Sequence, residues 1–215
     1  MSRPLLLGHR GARASNKIPE NTLASFELCL QHGCDGFEFD VRLSCDGQAV
    51  ICHDPTTGGM RIESTPSQSL SLPTLQDVLQ QFAPRAFLDI ELKVAGLERQ
   101  TLAELDRHPP EKGYVVSSFL PEVLNAIHDL DQETPLGFLC ESKDRLRDWR
   151  KIPAEWVVPR LDLVDQALVD QVHAAGKKIM VWTVNRTERM REFAEWCVDA
   201  IISDETELLV LSVNV

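Results

Sequence analysis

The feature that most narrows the folds open to this chain is an alternation, repeated about eight times in 215 residues, of short apolar runs with amphipathic segments. Strand-like runs occupy Leu5–His9, Gly36–Leu43, Ala86–Leu92, Tyr114–Phe119, Leu136–Cys140, Trp156–Arg160, Lys178–Val184 and Ala200–Ser203. A segment of helical period follows each. Asn21–His32 carries Leu23, Phe26 and Leu30 at helical spacing and stops at Gly33. Pro121 opens a helix over Glu122–Leu130, where its missing N–H costs nothing. Asp165–Ala175 aligns Leu168, Val172 and Ala175, and Met190, Phe193, Ala194 and Cys197 form another stripe behind Thr187, a candidate cap. This density of alternation predicts an α/β chain closed into a parallel (β/α)8 barrel, one domain over 1–215. A doubly wound open sheet is the competing arrangement, but its G-x-G-x-x-G fingerprint is absent.

One stretch breaks the alternation. Gly36–Leu43 and Ala49–His53 both read as strands, and Ser44–Gln48 between them is too short for a crossover helix. The two must therefore run antiparallel, as a β-hairpin excursion after the second strand. Asp46-Gly47 is a strong two-residue turn signal. A turn centred there sets Val41 opposite Cys52 and Asp40 opposite His53.

Strand alternation also locates the chemistry. Glu38 and Asp40 share one face, with Phe37, Phe39 and Val41 on the other. Leu88-Asp89-Ile90-Glu91-Leu92-Lys93 repeats the pattern on the next parallel strand. Turned into a barrel, these acids need a counter-charge, because each unpaired carboxylate costs several kcal/mol to bury. An interior ion network with Arg42, Lys93 or Arg160 is one neutraliser. A hard divalent cation with oxygen ligands is the other, and clustering on neighbouring strands favours it. His9 and Arg10 end the first strand, and His53 approaches from the hairpin, so two proton-transfer groups flank the acids. His32, His108, His128 and His173 fall on helices or their ends and read as ordinary core or surface histidines.

Composition limits the partners. The net charge of −11, without a run of five like charges, argues against a nucleic-acid surface and leaves small phosphate esters open. Leu5-Leu6-Leu7 is too short for a secretory core, and no stretch is long enough to span a bilayer. The six cysteines show no C-x-x-C pair and read as reduced core thiols. Together these predict a cytoplasmic protein without membrane insertion.

His9-Arg10-Gly11, Glu20-Asn21-Thr22 with Phe26, Gly36-x-Glu38-x-Asp40-Val41, Asp46-Gly47, His53-Asp54 and Glu91-x-Lys93 follow in order through the first 93 residues. This ordered set resembles the glycerophosphodiester phosphodiesterases, and Trp182-Thr183-Val184-Asn185 and Ser203-Asp204 resemble that family's closing strands. The resemblance implies a TIM-like (β/α)8 barrel that hydrolyses glycerophosphodiesters to sn-glycerol 3-phosphate and an alcohol. It implies one divalent cation, Mg²⁺ or Ca²⁺, on Glu38, Asp40 and Glu91. His9 and His53 would be the general acid–base pair, and Arg10 and Lys93 would hold phosphate. Glu20 would either orient the first-strand residues or meet the glycerol side. Trp182 would be either an apolar wall of the pocket or a core aromatic. Family mechanisms invoke the glycerol hydroxyl as internal nucleophile, giving a cyclic phosphate that water opens.

Two stretches depart from the family pattern. Pro55-Thr56-Thr57-Gly58-Gly59 replaces the usual Arg-Thr element and longer insertion after His53-Asp54, and is expected to be a mobile loop over the pocket. Ser203-Asp204-Glu205-Thr206 lacks the customary proline. Two other functions compete. A metal-dependent sugar isomerase barrel needs further ligands on later strands, where Asp162 and Asp204 are the candidates. A degenerate barrel that binds a phospho-ligand without turnover would lack a histidine or a carboxylate, and none is missing.

Overall fold

The computed structural model describes residues 3–213. Strand β1 (Leu5–His9) is followed by helix α1 (Leu23–Gln31), β2 (Gly36–Leu43) and the short return strand β3 (Ala49–Ile51). A small hairpin, β4 (Thr56–Thr57) with β5 (Met60–Arg61), and then α2 (Leu75–Phe82) lead to β6 (Phe87–Leu92). Helices and strands then alternate through α3 (Glu98–Arg107), β7 (Tyr114–Ser118), α4 (Pro121–Leu130) and β8 (Leu136–Cys140). The chain continues with α5 (Lys143–Leu146), β9 (Trp156–Pro159), α6 (Gln166–Ala174) and β10 (Lys178–Val181). It ends with α7 (Thr187–Glu195), β11 (Ala200–Ser203) and α8 (Thr206–Val213). The parallel strands run β1-β2-β6-β7-β8-β9-β10-β11 and close on β1, through Leu7 opposite Gly36 and Leu5 opposite Ala200. The result is a TIM-like (β/α)8 barrel with β3 as an antiparallel excursion from β2.

The two-residue period of the strands divides the core. Leu6, Phe37, Phe39, Leu88, Ile90, Val116, Phe138, Val157, Ile179 and Ile201 face outward to the helices. Leu7, Phe87, Val115, Leu139, Trp156, Val158, Met180, Ala200 and Ile202 pack inside the barrel. The outward phenylalanines of β2 stack with the helices beside them. Phe26 of α1 lies parallel to Phe37 with centroids 4.2 Å apart, and Phe82 of α2 meets both rings edge-on. That cluster pins β2 from outside while its other face stays polar.

Several local expectations change. Helix α1 is capped by Thr22, which accepts from Ser25 N, and α6 by Asp165, which accepts from Leu168 N. Thr187 is not a cap: Arg186 holds that position, and the Thr187 hydroxyl instead accepts from Ser212 Oγ of α8 at 3.4 Å. The barrel strands Lys178–Val181 and Trp156–Pro159 stop short of the Val184 and Arg160 ends expected for them. Cys29, Cys34 and Cys140 are buried as expected of core thiols, whereas Cys45 is exposed. Among the described residues, no helix is long and apolar enough to cross a membrane.

The hairpin register also differs. Val41 pairs with Ile51 and Leu43 with Ala49, one residue away from the expected pairing. The turn is a three-residue loop. Gly47 N donates to Ser44 O and Ser44 N to Gln48 O, each at 3.0 Å, and Gly47 takes φ +77°. Such a turn ends in a left-handed residue, which glycine supplies without strain. Ser44 Oγ stabilises the longer loop by donating to Asp46 Oδ1 at 2.6 Å.

The segment after His53, expected as a mobile loop, is organised. Ile62 and Leu70 pack on Val50 in a satellite core. Ser67 donates from N and from Oγ to the Asp46 carboxylate, each at 3.0 Å, tying the segment to the hairpin turn.

Removing the ring at the centre of the aromatic cluster tests this account of how β2 is held. Phe26→Ala should cost about 3–5 kcal/mol in urea unfolding, because a buried aromatic is lost and a cavity is left. A loss under about 1 kcal/mol would show that the cluster is not what holds the strand.

Candidate active site

The C-terminal ends of the barrel strands enclose a pocket of about 270 Å³ lined by His9, Arg10, Glu38, His53, Asp89, Glu91, Lys93, Phe119, Leu139, Glu141, Trp182 and Ile202. Seven of the nine residues singled out in the sequence are among them. Asp40 lies directly behind, 1% exposed, and Glu20 lines an adjoining groove that shares His53. The register of β2 against β6 explains the acidic half, because it sets Glu38 beside Asp89 and Asp40 beside Glu91. Four carboxylates thus share the inner face of two neighbouring strands.

Their positive neighbours come from two places. Lys93, just past β6, has Nζ 2.5 Å from Glu91 Oε1 and 3.2 Å from Asp40 Oδ1. Arg10 turns back from the end of β1 with φ +52°, followed by Gly11 at +79°. This left-handed corner aims Arg10 N at Glu38 Oε2 (2.9 Å) and sets Nε 3.2 Å from Asp40 Oδ2. Arg10 Nη1 also donates to Glu20 Oε1 at 2.7 Å, and Arg13 Nε to Glu20 Oε2 at 2.5 Å. Glu20 therefore fixes the two arginines of the first loop. Asn21, itself at φ +55°, donates from Nδ2 to Asp40 Oδ2 at 2.8 Å. The ion network considered from sequence holds in part: Lys93 belongs to it. Arg42 instead donates from Nε to His53 O at 2.8 Å, and Arg160 is bound to exposed Asp162.

These cations do not neutralise the cluster. Glu38 Oε1 and Asp89 Oδ2 are buried without a hydrogen bond, as are Asp40 Oδ1 and Glu91 Oε1 despite their closeness to Lys93. Burial, followed by the charges of Asp40, Glu91 and Asp89, pushes Glu38 well above the carboxylate range. Burial, with Asp40 adding to it and Lys93 opposing, raises Glu91 to about 7. Burial also raises Asp89 to about 7 against the hydrogen bond from Ser117. Only Asp40 stays below its ordinary value, because Lys93, Arg10 and Asn21 outweigh its burial. One ligand oxygen from each of Glu38, Asp40 and Glu91 lies within 4.8 Å of the others. An all-oxygen set with unsatisfied lone pairs and excess negative charge can hold a divalent cation.

The two histidines are gripped alike. His9 Nδ1 donates to Asp204 Oδ1 and His53 Nδ1 to Asp54 Oδ1, both at 2.7 Å. Each grip leaves Nε2 uncommitted, and that of His9 stands 3.9 Å from Glu38 Oε2. Burial lowers His53 below its ordinary value despite the raising effects of Asp40 and Asp54. Asp204 is held below its ordinary value, its burial overcome by hydrogen bonds from His9, Asn185 and Arg13.

The role of Asp204 beside His9 was not read from the sequence, where it stood as a metal ligand of the isomerase alternative. The structure sets it on His9, and Asp162 on Arg160, so neither joins the carboxylate cluster. The strand period carried part of the signal, the face on which Asp204 lies, but not its partner. Ala200 and Ile202 face inward, so Asp204 continues their face, and Gly8 pairs with Ser203 one step below His9. The same two-residue step leads from Leu139 to Glu141 and from Met180 to Trp182.

Comparison with known proteins gives a consistent pattern. The family described as "Glycerophosphoryl diester phosphodiesterase family" matches residues 9–208. A glycerophosphodiester phosphodiesterase of Caldanaerobacter subterraneus subsp. tengcongensis is 27% identical over 238 residues, spanning 97% of each chain. One from Bacillus subtilis (strain 168) is 27% identical over 251 residues, covering 96% of this chain and 85% of the relative. Among solved structures, a phosphodiesterase of Oleispira antarctica in complex with the product sn-glycerol-3-phosphate superposes with a TM-score of 0.86 at 27% identity. That match covers 99% of this chain and 98% of the other.

The carboxylate chemistry predicts a measurable proton balance. Cation uptake at pH 6.5 should release a large part of one proton, because burial raises Glu91 to about 7 and it is mostly protonated there until a cation displaces the proton. Titration calorimetry of Mg²⁺ or Ca²⁺ in two buffers of different ionisation enthalpy reads this directly. Glu91→Gln should weaken the affinity at least about tenfold. Heats independent of buffer, or an unchanged affinity in the variant, would exclude this ligand set.

Proposed function

The chain belongs to the glycerophosphoryl diester phosphodiesterase family, and from that premise we propose that it hydrolyses glycerophosphodiesters to sn-glycerol 3-phosphate and an alcohol. It is a hydrolase of the glycerophosphodiester phosphodiesterase type. The observation that carries the substrate and mechanism is a convergence in one pocket. Three carboxylates with ligand atoms within 4.8 Å of one another meet two histidines whose Nδ1 atoms are occupied and whose Nε2 atoms remain for a reacting group. The product complex of the Oleispira antarctica relative supports the same substrate class.

In this reading Glu38, Asp40 and Glu91 hold one divalent cation, Mg²⁺ or Ca²⁺. That cation supplies Lewis-acid stabilisation to the phosphoryl oxygens when bound. Arg10 and Lys93 hold the phosphate and stabilise charge that builds on it. Both are fixed by carboxylates on either side, so their positions are set before substrate arrives. His9 and His53 are the proton-transfer pair: one takes the proton of the attacking glycerol hydroxyl and the other gives a proton to the leaving alcohol oxygen, after which water, deprotonated in turn, opens the cyclic phosphate to glycerol 3-phosphate. Asp204 and Asp54 orient the rings, each accepting from Nδ1 and so directing Nε2 to the chemistry. Glu20 positions Arg10 from the adjoining groove. Trp182 forms an apolar wall, its indole N–H turned away to Val158 O at 2.9 Å. This reading treats 1–215 as one catalytic barrel domain working in the cytosol.

The direct test incubates the protein with glycerophosphocholine or glycerophosphoethanolamine, with and without a chelator, and follows glycerol 3-phosphate. Turnover should require the divalent cation and return when it is restored. His53→Ala should lower kcat by about 10²–10⁴ with cation affinity retained. Turnover that survives exhaustive chelation removes the cation from the mechanism, and a loss under tenfold in His53→Ala removes that histidine from proton transfer.

A further inference from the structure

Apart from Trp182 as an apolar wall, the half of the pocket opposite the carboxylates has no assigned part in that chemistry. It is built from Phe119, Leu139, Trp182, Ile202 and Glu141, at the ends of β7, β8, β10 and β11. Trp182 meets Phe119 edge-on, with centroids 5.6 Å apart and planes at 84°. Its single polar atom is committed to Val158 O, so the ring offers the pocket only carbon. Lys93 Nζ, 5.7 Å from the Phe119 centroid, joins this wall to the phosphate side.

Glu141 stands at the rim of the aromatic wall with its side chain exposed. Its charge differs from the others lining the pocket. Arg10 is matched by Glu20 and Asp40, and Lys93 by Glu91 and Asp40. Glu141 makes no hydrogen bond or ion pair among the described residues. The cation that feels its charge, Arg160, is already held by Asp162 through bonds of 2.6 and 2.9 Å. An unmatched carboxylate beside a fixed aromatic surface is the combination that attracts an organic ammonium, through charge on one side and the ring quadrupole on the other. A neutral polyol would gain little from either.

We propose that Glu141, with the Trp182–Phe119 wall, forms the alcohol subsite of this pocket and selects glycerophosphodiesters whose alcohol carries a positive nitrogen, such as choline or ethanolamine. The inference rests on the phosphodiesterase reading above and sharpens its substrate class. The phosphate is held at Arg10 and Lys93, and the esterified amino alcohol extends along Trp182 toward the rim, where Glu141 meets the ammonium.

The test is a ratio, taken on the cation-loaded full-length enzyme. kcat/KM is measured for glycerophosphocholine and glycerophosphoethanolamine, and for glycerophosphoglycerol as the neutral comparison. The wild type should favour both amino-alcohol diesters. Glu141→Gln should lower that preference by about tenfold, and Glu141→Lys should lower it further by placing like charge against the ammonium. Tetramethylammonium chloride should inhibit the wild type competitively, against a sodium chloride control, and inhibit Glu141→Gln less. Glu141 is exposed, and circular dichroism checks that each variant is folded. A wild type without preference, or a preference that stays within twofold in both variants, overturns the subsite. Loss of turnover on all three diesters in the wild type overturns the phosphodiesterase reading instead.

Discussion

Glu38, Asp40, Asp89 and Glu91 sit on the inner face of two hydrogen-bonded strands, and no arrangement of those strands can separate them. Each is less than a tenth exposed. Unscreened like charges at this spacing are unfavourable by several kcal/mol. The loops around them are shaped by that constraint. The first loop makes a left-handed corner at a non-glycine residue, which carries a backbone cost of about 1–3 kcal/mol. The corner delivers both the amide and the guanidinium of Arg10 to the acids. Asn21 adopts the same unusual conformation and binds Asp40. Two left-handed residues on one loop, both directed at the same cluster, tie the shape of the loop to the cluster. Even so, oxygens of Glu38 and Asp89 remain without donors.

A face so costly inside the barrel is held from outside. On β2, Phe37 and Phe39 alternate with Glu38 and Asp40, so each acid is flanked by a ring locked against α1 and α2. The lower barrel is filled by Leu7, Phe87, Trp156 and Ala200, so the layer beneath the acids is apolar. Polar groups are therefore confined to the upper layer, where the strand ends and their loops meet. The site lies at the mouth because only there can backbone corners and strand termini bring cations and histidines to the acids.

Much of this was legible in the sequence because the strands obey a strict period of two. Glu38, Asp40, Glu91 and Lys93 needed no more than that period and the adjacency of consecutive strands. The barrel strands were found to within a few residues for the same reason. What the period could not supply was contact between the last strand and the first. Asp204 binds His9 across the closure of the barrel, 195 residues apart, and no local pattern joins them. Thr187 failed as a cap because the helix already begins at that residue, with Arg186 in the cap position, a boundary shift of one residue. The loop after Asp54 misled in another way: its glycines and threonines read as loose chain, while Ile62 and Leu70 give it a core of its own.

The hairpin shows how a wrong register can still give a right neighbour. A one-residue slip reverses the face of every side chain in a ladder, and continued pairing would have turned His53 away from Asp40. The ladder does not continue. Strand β3 ends at Ile51, and Cys52 N still donates to Asp40 O at 3.0 Å, after which the chain leaves the sheet. His53 is then placed by a side chain rather than by strand pairing, because Arg42 Nε donates to His53 O at 2.8 Å. Arg42 lies on β2 two residues beyond Asp40, so the strand that carries the acids also fixes the histidine above them.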